Sequence, residues 1–337
     1  MAVCSGKTQR ESWGCKVELS GTSSDNSGRG SNDMKHGIAG FAVGSGFTEI
    51  SEDEFKRVRR AKHSLVRILS LEAKFDLMLE NYVDFERKLL ELGLYQMIYS
   101  DLSWGSMHSD IQNLNRRITN LLSSGRLYLD HIMHDVAALD STEDTVVASL
   151  RTKCSEQYDR RLGYRVMEAL RNHTQHRGLP VHQLSYPASW EPPLRKNLVY
   201  RVVPSLKVAE LREDGHFKAS IIRELDEVGP TVPVTPLVRE YVEGLSSIHE
   251  AFRDLSQKDI QDWEAHFEWA WKCYADTTGD PRRTIRVVVV DDGGQFTESE
   301  DIFEDLIGER KNLVKKNAVL TNLALRFVSG SCDLRDS

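Results

Sequence analysis

The chain of 337 residues is 40% hydrophobic and 28% charged, an ordinary globular composition with enough length for a sizeable core and about two domains. A formal net charge of -7 excludes a general polyanion binder, so any nucleic-acid contact must come from a local basic patch. No run approaches the roughly 20 apolar residues that span a bilayer, and the opening MAVCSGKTQRESWGCKVELS has no apolar core of a secretory signal.

Residues 1–48 are rich in Gly, Ser, Asn and Asp and lack periodic apolar positions. Such a segment buries too little surface to offset its ordering entropy, and it reads as a disordered tail. Its Gly44-Ser45-Gly46 lacks the Gly-Lys-Ser/Thr ending of a phosphate loop. Order begins at Ser51-Glu52-Asp53-Glu54, a Ser-x-x-Glu capping box. Phe55, Val58, Leu65, Ile68, Phe75, Met78, Tyr82 and Phe85 then recur at helical spacing. They predict one long amphipathic helix, or two with a break, ending near Gly93. A second helix is expected over about 109–139, with Leu114, Ile118, Leu121 and Ile132 on one face. Asp140-Ser141-Thr142 stops it and caps a third, over about 143–175, which Gly178 and Pro180 terminate. Long helices on short connections imply an antiparallel bundle over 49–190.

Past Pro192-Pro193 the texture changes. Strands are expected over 198–203 and about 206–211, then helices over about 217–227, 236–255 and 257–274. The β-branched run RVVVV, 286–290, predicts a buried strand, and 299–317 reads as helix with Thr297-x-x-Glu300 as its capping box. The expected fold class is therefore mainly α: an antiparallel helical bundle followed by a smaller α+β region over 191–337, to which the sequence assigns no role.

One stretch carries chemistry. The third helix ends in LRNHTQHRGLPVH, and residues 151–196 hold nine Arg and Lys against four Asp and Glu, a concentrated basic region in an acidic chain. Cleaving RNA without a metal needs one group to take the 2′-hydroxyl proton and another to protonate the departing 5′-oxygen. Histidine suits both tasks, and a guanidinium can stabilise the charge that builds on phosphorus-bound oxygen. Asn172 and His176 share a helix face, whereas Arg171 stands roughly 140° from His176. Convergence on one phosphate would need a frayed helix end or a symmetric dimer. Arg-x4-His also occurs at Arg126…His131 and Arg177…His182. The adjacent Asn172, the helix-end position and the local charge single out Arg171…His176. The alternative for these two side chains is capping of the helix's last carbonyls.

An Arg followed by Asn and, four residues later, by His near a helix end in an antiparallel bundle resembles the HEPN superfamily, over roughly residues 53–183. The resemblance implies a metal-independent, cofactor-free endoribonuclease acting as a homodimer in a defence or toxin-type system. In it Arg171 binds phosphate, Asn172 positions and His176 is the acid/base. His173, Arg177 and Arg165 belong to the same basic stretch as binding residues, and His131 supplements them from the preceding helix. Other members of that superfamily bind nucleotides without cleaving RNA, so the runner-up is a non-catalytic nucleotide-binding or dimerising interaction protein built on the same bundle. Either reading places the chain in the cytoplasm with RNA or a nucleotide as partner.

Other constellations carry less. Asp130-His131-Ile132-Met133-His134-Asp135 offers metal-ligand types but no identifiable distant ligand, and reads as a polar helix face. Trp263, Phe267, Trp271 and Tyr274 recur on one helix without interleaved Lys or Arg, as core residues do. The five cysteines are scattered with no Cys-x-x-Cys pair, which fits a reducing compartment.

Overall fold

The computed structural model describes residues 34–328 except 42–43, 138, 140–143, 191–196 and 216. In chain order the elements are β1 (Lys35–Gly40), β2 (Phe47–Glu49), α1 (Glu52–Tyr99), α2 (Trp104–Ala137), α3 (Asp144–Arg160) and α4 (Leu162–His176). Short strands β3 (Gln183–Ser185), β4 (Ala188–Trp190), β5 (Leu198–Tyr200) and β6 (Val203–Lys207) follow. Then come α5 (Val208–Asp214), α6 (Ala219–Val228), β7 (Thr231–Pro233), α7 (Val234–Thr278), β8 (Ile285–Val290), β9 (Phe296–Ile302) and α8 (Asp305–Lys316). A 3-10 turn spans Leu323–Leu325. The protein is mainly α-helical with a smaller α+β part, and none of the described helices is long and apolar enough to cross a membrane.

The described residues form two compact units, one of those up to 68 with 258–310, the other of 69–257 with those from 311 on. These boundaries differ from a bundle confined to 49–190. Within the first unit the strands make an antiparallel sheet in the order β2-β1-β8-β9, with Lys35 opposite Val290 and Gly40 opposite Ile285. So 35–40 and 47–49 are strands where composition predicted tail. Ala39, Val288 and Val290 bury one patch of this sheet under Phe47 and Phe296. The Ser51 capping box forms as expected: Glu54 N–H donates to Ser51 Oγ at 3.2 Å, and Ser51 N–H to a Glu54 carboxylate oxygen at 2.8 Å.

The second unit is built on helices. Lys74 bonds Asp135, Asn81 bonds Ser124 and Arg117 pairs with Asp84, so α1 and α2 run antiparallel. A further helix shares this core. The segment of α7 up to residue 257 contacts α1 through Glu86–Arg239, α2 through Gly125–Tyr241 and α4 through Gly163–Glu240. α7 is one continuous helix where two were expected, because Leu255 and Ser256 carry no breaker. Conversely, the expected third helix is two: Arg161 leaves helical geometry at φ −117°, ψ 117°, and separates α3 from α4. Arg165 secures that break by donating Nη1 to the carbonyls of Tyr158 and Asp159, both at 2.7 Å, near the C-terminus of α3.

At the centre of this unit lies a buried polar chain. Tyr128 and Nδ1 of His249 hydrogen-bond at 2.9 Å, and Nε2 of His249 meets Glu72 at 3.0 Å. Arg253 donates Nε and Nη2 to the two Glu72 oxygens at 2.9 and 2.6 Å, and the Phe75 ring stacks on the imidazole at 3.9 Å. With Glu72 able only to accept, Nε2 is the donor to it; the Tyr128 hydroxyl then donates to Nδ1 of a neutral ring.

Elsewhere the structure and the expected elements differ further. The strand predicted over 206–211 ends at Lys207, where α5 begins, and Thr297–Glu300 belongs to β9 rather than to a capping box. α1 continues past Gly93 to Tyr99. Asp140-Ser141-Thr142 and Pro192-Pro193 lie outside the described residues.

Candidate functional site

α4 owes its position to a close approach. Gly163 donates its N–H to a Glu240 carboxylate oxygen at 2.7 Å, and a Cβ there would stand 2.5 Å from the Leu237 carbonyl oxygen. Val166, Met167 and Leu170 face the core, which turns the opposite face of α4 outward.

That outward face lines a groove of about 420 Å³. Glu168, Asn172 and His176 occupy successive turns along it, with Arg165, His173 and Arg177 beside them. Tyr158 from the end of α3 and Phe217, Lys218 and Ile221 at the start of α6 complete the walls. Asn172, His176 and Arg177 are exposed, whereas His173 is buried. The His173 imidazole packs against Phe217, with ring centroids 5.8 Å apart, and a Cβ on Gly178 would stand 2.9 Å from its Nε2. This imidazole is a wall; His176 is the one open to solvent.

The electrostatics are mixed. Lys218 donates to the Tyr158 hydroxyl at 2.8 Å and lies over that ring, which holds its ammonium at the groove. Arg165 is an ion-pair partner of Glu224 as well as a clamp on α3. Glu168 is the acidic member. Burial pushes its carboxyl up, against the opposing effects of the Tyr241 hydroxyl at 3.2 Å and of Arg126 and Arg171.

The structure brings together five of the seven residues singled out from sequence. The two others stand apart. Arg171 does not line the groove; its Nη1 donates to Asn172 Oδ1 at 2.9 Å, and its Nε is buried without a partner among the described residues. His131 is on α2, its Nδ1 3.7 Å from Asp135, and it does not line the groove either. Of the competing Arg-x4-His matches, Arg126 is engaged with Asp130 at 2.7 Å, and His182 accepts the Lys207 N–H at 3.0 Å. Among the described residues no group of three or more His, Cys, Asp or Glu is placed to hold a metal ion.

Sequence reasoning missed Glu168, Tyr158 and Lys218. The i, i+4, i+8 spacing of Glu168, Asn172 and His176 was a readable signal. The approach of α6 was not.

The comparisons add no relative. No family model, no curated protein and no solved structure matches the chain.

Proposed function

We propose that this protein is a metal-independent endoribonuclease that binds the phosphate backbone of RNA in the α4 groove. The observation that carries the reading is the exposed imidazole of His176 in one groove with Asn172, Arg177 and Lys218. Arg177 and Lys218 hold phosphate, Asn172 orients the ribose or phosphate oxygen, and His176 exchanges the proton. A single imidazole serves one of the two proton transfers. A homodimer that sets two grooves against one RNA strand supplies the second, and is part of the proposal. Cys154 and Cys273 are free thiols, which suits a cytoplasmic protein.

A second reading, nucleotide or RNA binding without cleavage, is favoured by Arg171. This guanidinium, the motif's expected phosphate ligand, donates to Asn172 and does not line the groove.

The deciding experiment incubates mixed cellular RNA in EDTA with the wild type, His176→Ala and Arg177→Ala. Fragments ending in 2′,3′-cyclic phosphate from the wild type alone are expected. RNA that stays intact yet is retained by the wild type at low salt establishes the binding reading, and neither cleavage nor retention removes both.

A further inference from the structure

α1 carries two apolar faces. Phe85 and Leu92 are buried toward the second unit's core, yet Val83, Leu90, Leu94 and Met97 on the other side are each about half exposed. Tyr95, Ile98 and Tyr99 are exposed as well, but the first four keep a heptad: Val83, Leu90 and Met97 at one core position, Arg87 and Leu94 at the other. Phe85 and Leu92 then fall opposite that seam, as they must if it faces outward. A helix apolar on both sides needs a second partner, and stripes of this length exceed the scattered apolar residues that surfaces normally show.

The charges beside the seam indicate what covers it. Asp84 and Glu91 flank it on the same side, one heptad apart. Each is the outward member of an ion pair: Glu91 is 62% exposed against 12% for Lys88, and Asp84 43% against 14% for Arg117. The carboxylates therefore face an incoming helix while their cations lie behind. On the other flank, Glu86 is tied down by Arg239, whose Nη1 also holds the Arg326 carbonyl at 2.6 Å. This anchors a segment whose Leu325 and Phe327 are more than four-fifths exposed. A second copy of α1 fits badly. Parallel pairing sets Arg87 against Arg87, and antiparallel pairing sets the acidic flanks against each other.

We infer that the outer face of α1 around Leu90 and Leu94 docks an amphipathic helix of another protein, with leucine-type residues in its seam and Lys or Arg on its flanks. This inference is independent of the α4 groove, because no residue of the seam lines that groove.

The test uses the full chain and three synthetic three-heptad peptides. One has Leu in the seam and Lys on the flanks, the second Leu in the seam and Glu on the flanks, and the third Ser in the seam and Lys on the flanks. Fluorescence anisotropy is expected to show the first binding at least tenfold more tightly than either other. The double variant Leu90→Glu/Leu94→Glu, whose circular dichroism should match the wild type because both side chains are exposed, is expected to weaken that binding at least tenfold. It adds negative charge, so a merely electrostatic association would strengthen instead. Equal binding of all three peptides, or none, overturns the inference. So does concentration-dependent self-association in sedimentation that the double variant abolishes, since the occupant would then be a second copy.

Discussion

Arg171 and Asn172 are neighbours in sequence and partners in space: the guanidinium Nη1 donates to the amide Oδ1 at 2.9 Å. The pair therefore acts as one unit. The amide oxygen of Asn172 accepts from Arg171, which leaves both amide hydrogens of this groove-lining side chain outside that bond. On the proposed function Arg171 would be a positioning residue, in contrast to Arg177 and Lys218, which line the groove itself.

The variants should separate accordingly. Binding of a labelled RNA oligonucleotide, followed against salt, is expected to lose about 0.7 in log–log slope in Arg177→Ala or Lys218→Ala, the mark of one lost phosphate contact to a single strand. Arg171→Ala should weaken binding with the slope unchanged. An equal loss of slope in Arg171→Ala would place its guanidinium on a phosphate.

Glu72→Ala should be among the most damaging single substitutions in the second unit. It leaves His249 Nε2–H and the Arg253 guanidinium without their shared acceptor inside the core. Breaking a buried ion pair on one side costs about 3–5 kcal/mol. Urea denaturation reads this directly, and a loss under about 1 kcal/mol would mean that water or a rearranged core satisfies both donors.

The same cluster sets an acid limit on stability. Burial opposes ionisation of Glu72, but hydrogen bonds from His249 and Arg253 outweigh it and hold the carboxyl at about 2, below its ordinary 4.5. A depressed native value means that the unfolded chain binds the proton first. The stabilisation is therefore complete above about pH 4.5 and drains away as pH falls toward 2, a contribution of about 3 kcal/mol. Burial also lowers His249, which adds loss of the same sign as pH falls below the ordinary histidine range. Urea midpoints measured from pH 7 to pH 3 should fall, and in Glu72→Gln the part below pH 4.5 should flatten. An undiminished fall in that variant would assign the acid sensitivity elsewhere.

Gly163→Ala is expected to destabilise by about 1–3 kcal/mol, because the added methyl meets a backbone carbonyl that cannot rotate away. Gly105→Ala, at a helical position with open space, serves as the control and should be neutral or stabilising. Thermal melts of both variants suffice. A neutral Gly163→Ala would show that α4 can slide along α7, and the groove would then be less fixed than its contacts imply.

Legibility followed the range of the forces. The capping box at Ser51, the inward residues of α1 and α2, and the buried β8 are set by neighbours a few positions away, and each was readable. β1 was not. Its KHGIAG resembles the polar stretch before it, and its partner β8 lies far along the chain. Its glycine has a spatial purpose: a Cβ on Gly37 would lie 2.2 Å from the Phe47 ring. At the groove, Asn172 and His176 followed from helical periodicity. The exclusion of Arg171 was foreshadowed by its angle, while the wall from α6 depends on a turn that leaves no periodic trace.

The pairing of β1 with β8 also sets a timetable for synthesis. The strand is among the first described residues to leave the ribosome, and it must wait until residue 290 has emerged before its ladder can close. By then the segment 69–257, most of the helical unit, is already available to collapse. Loop-closure entropy grows only logarithmically with length, so the delay costs little at equilibrium but much in time. During that interval β1 offers an unpaired edge, and a chain stalled or cut before β8 keeps it. Chaperone demand for this protein should therefore centre on its N-terminal strand.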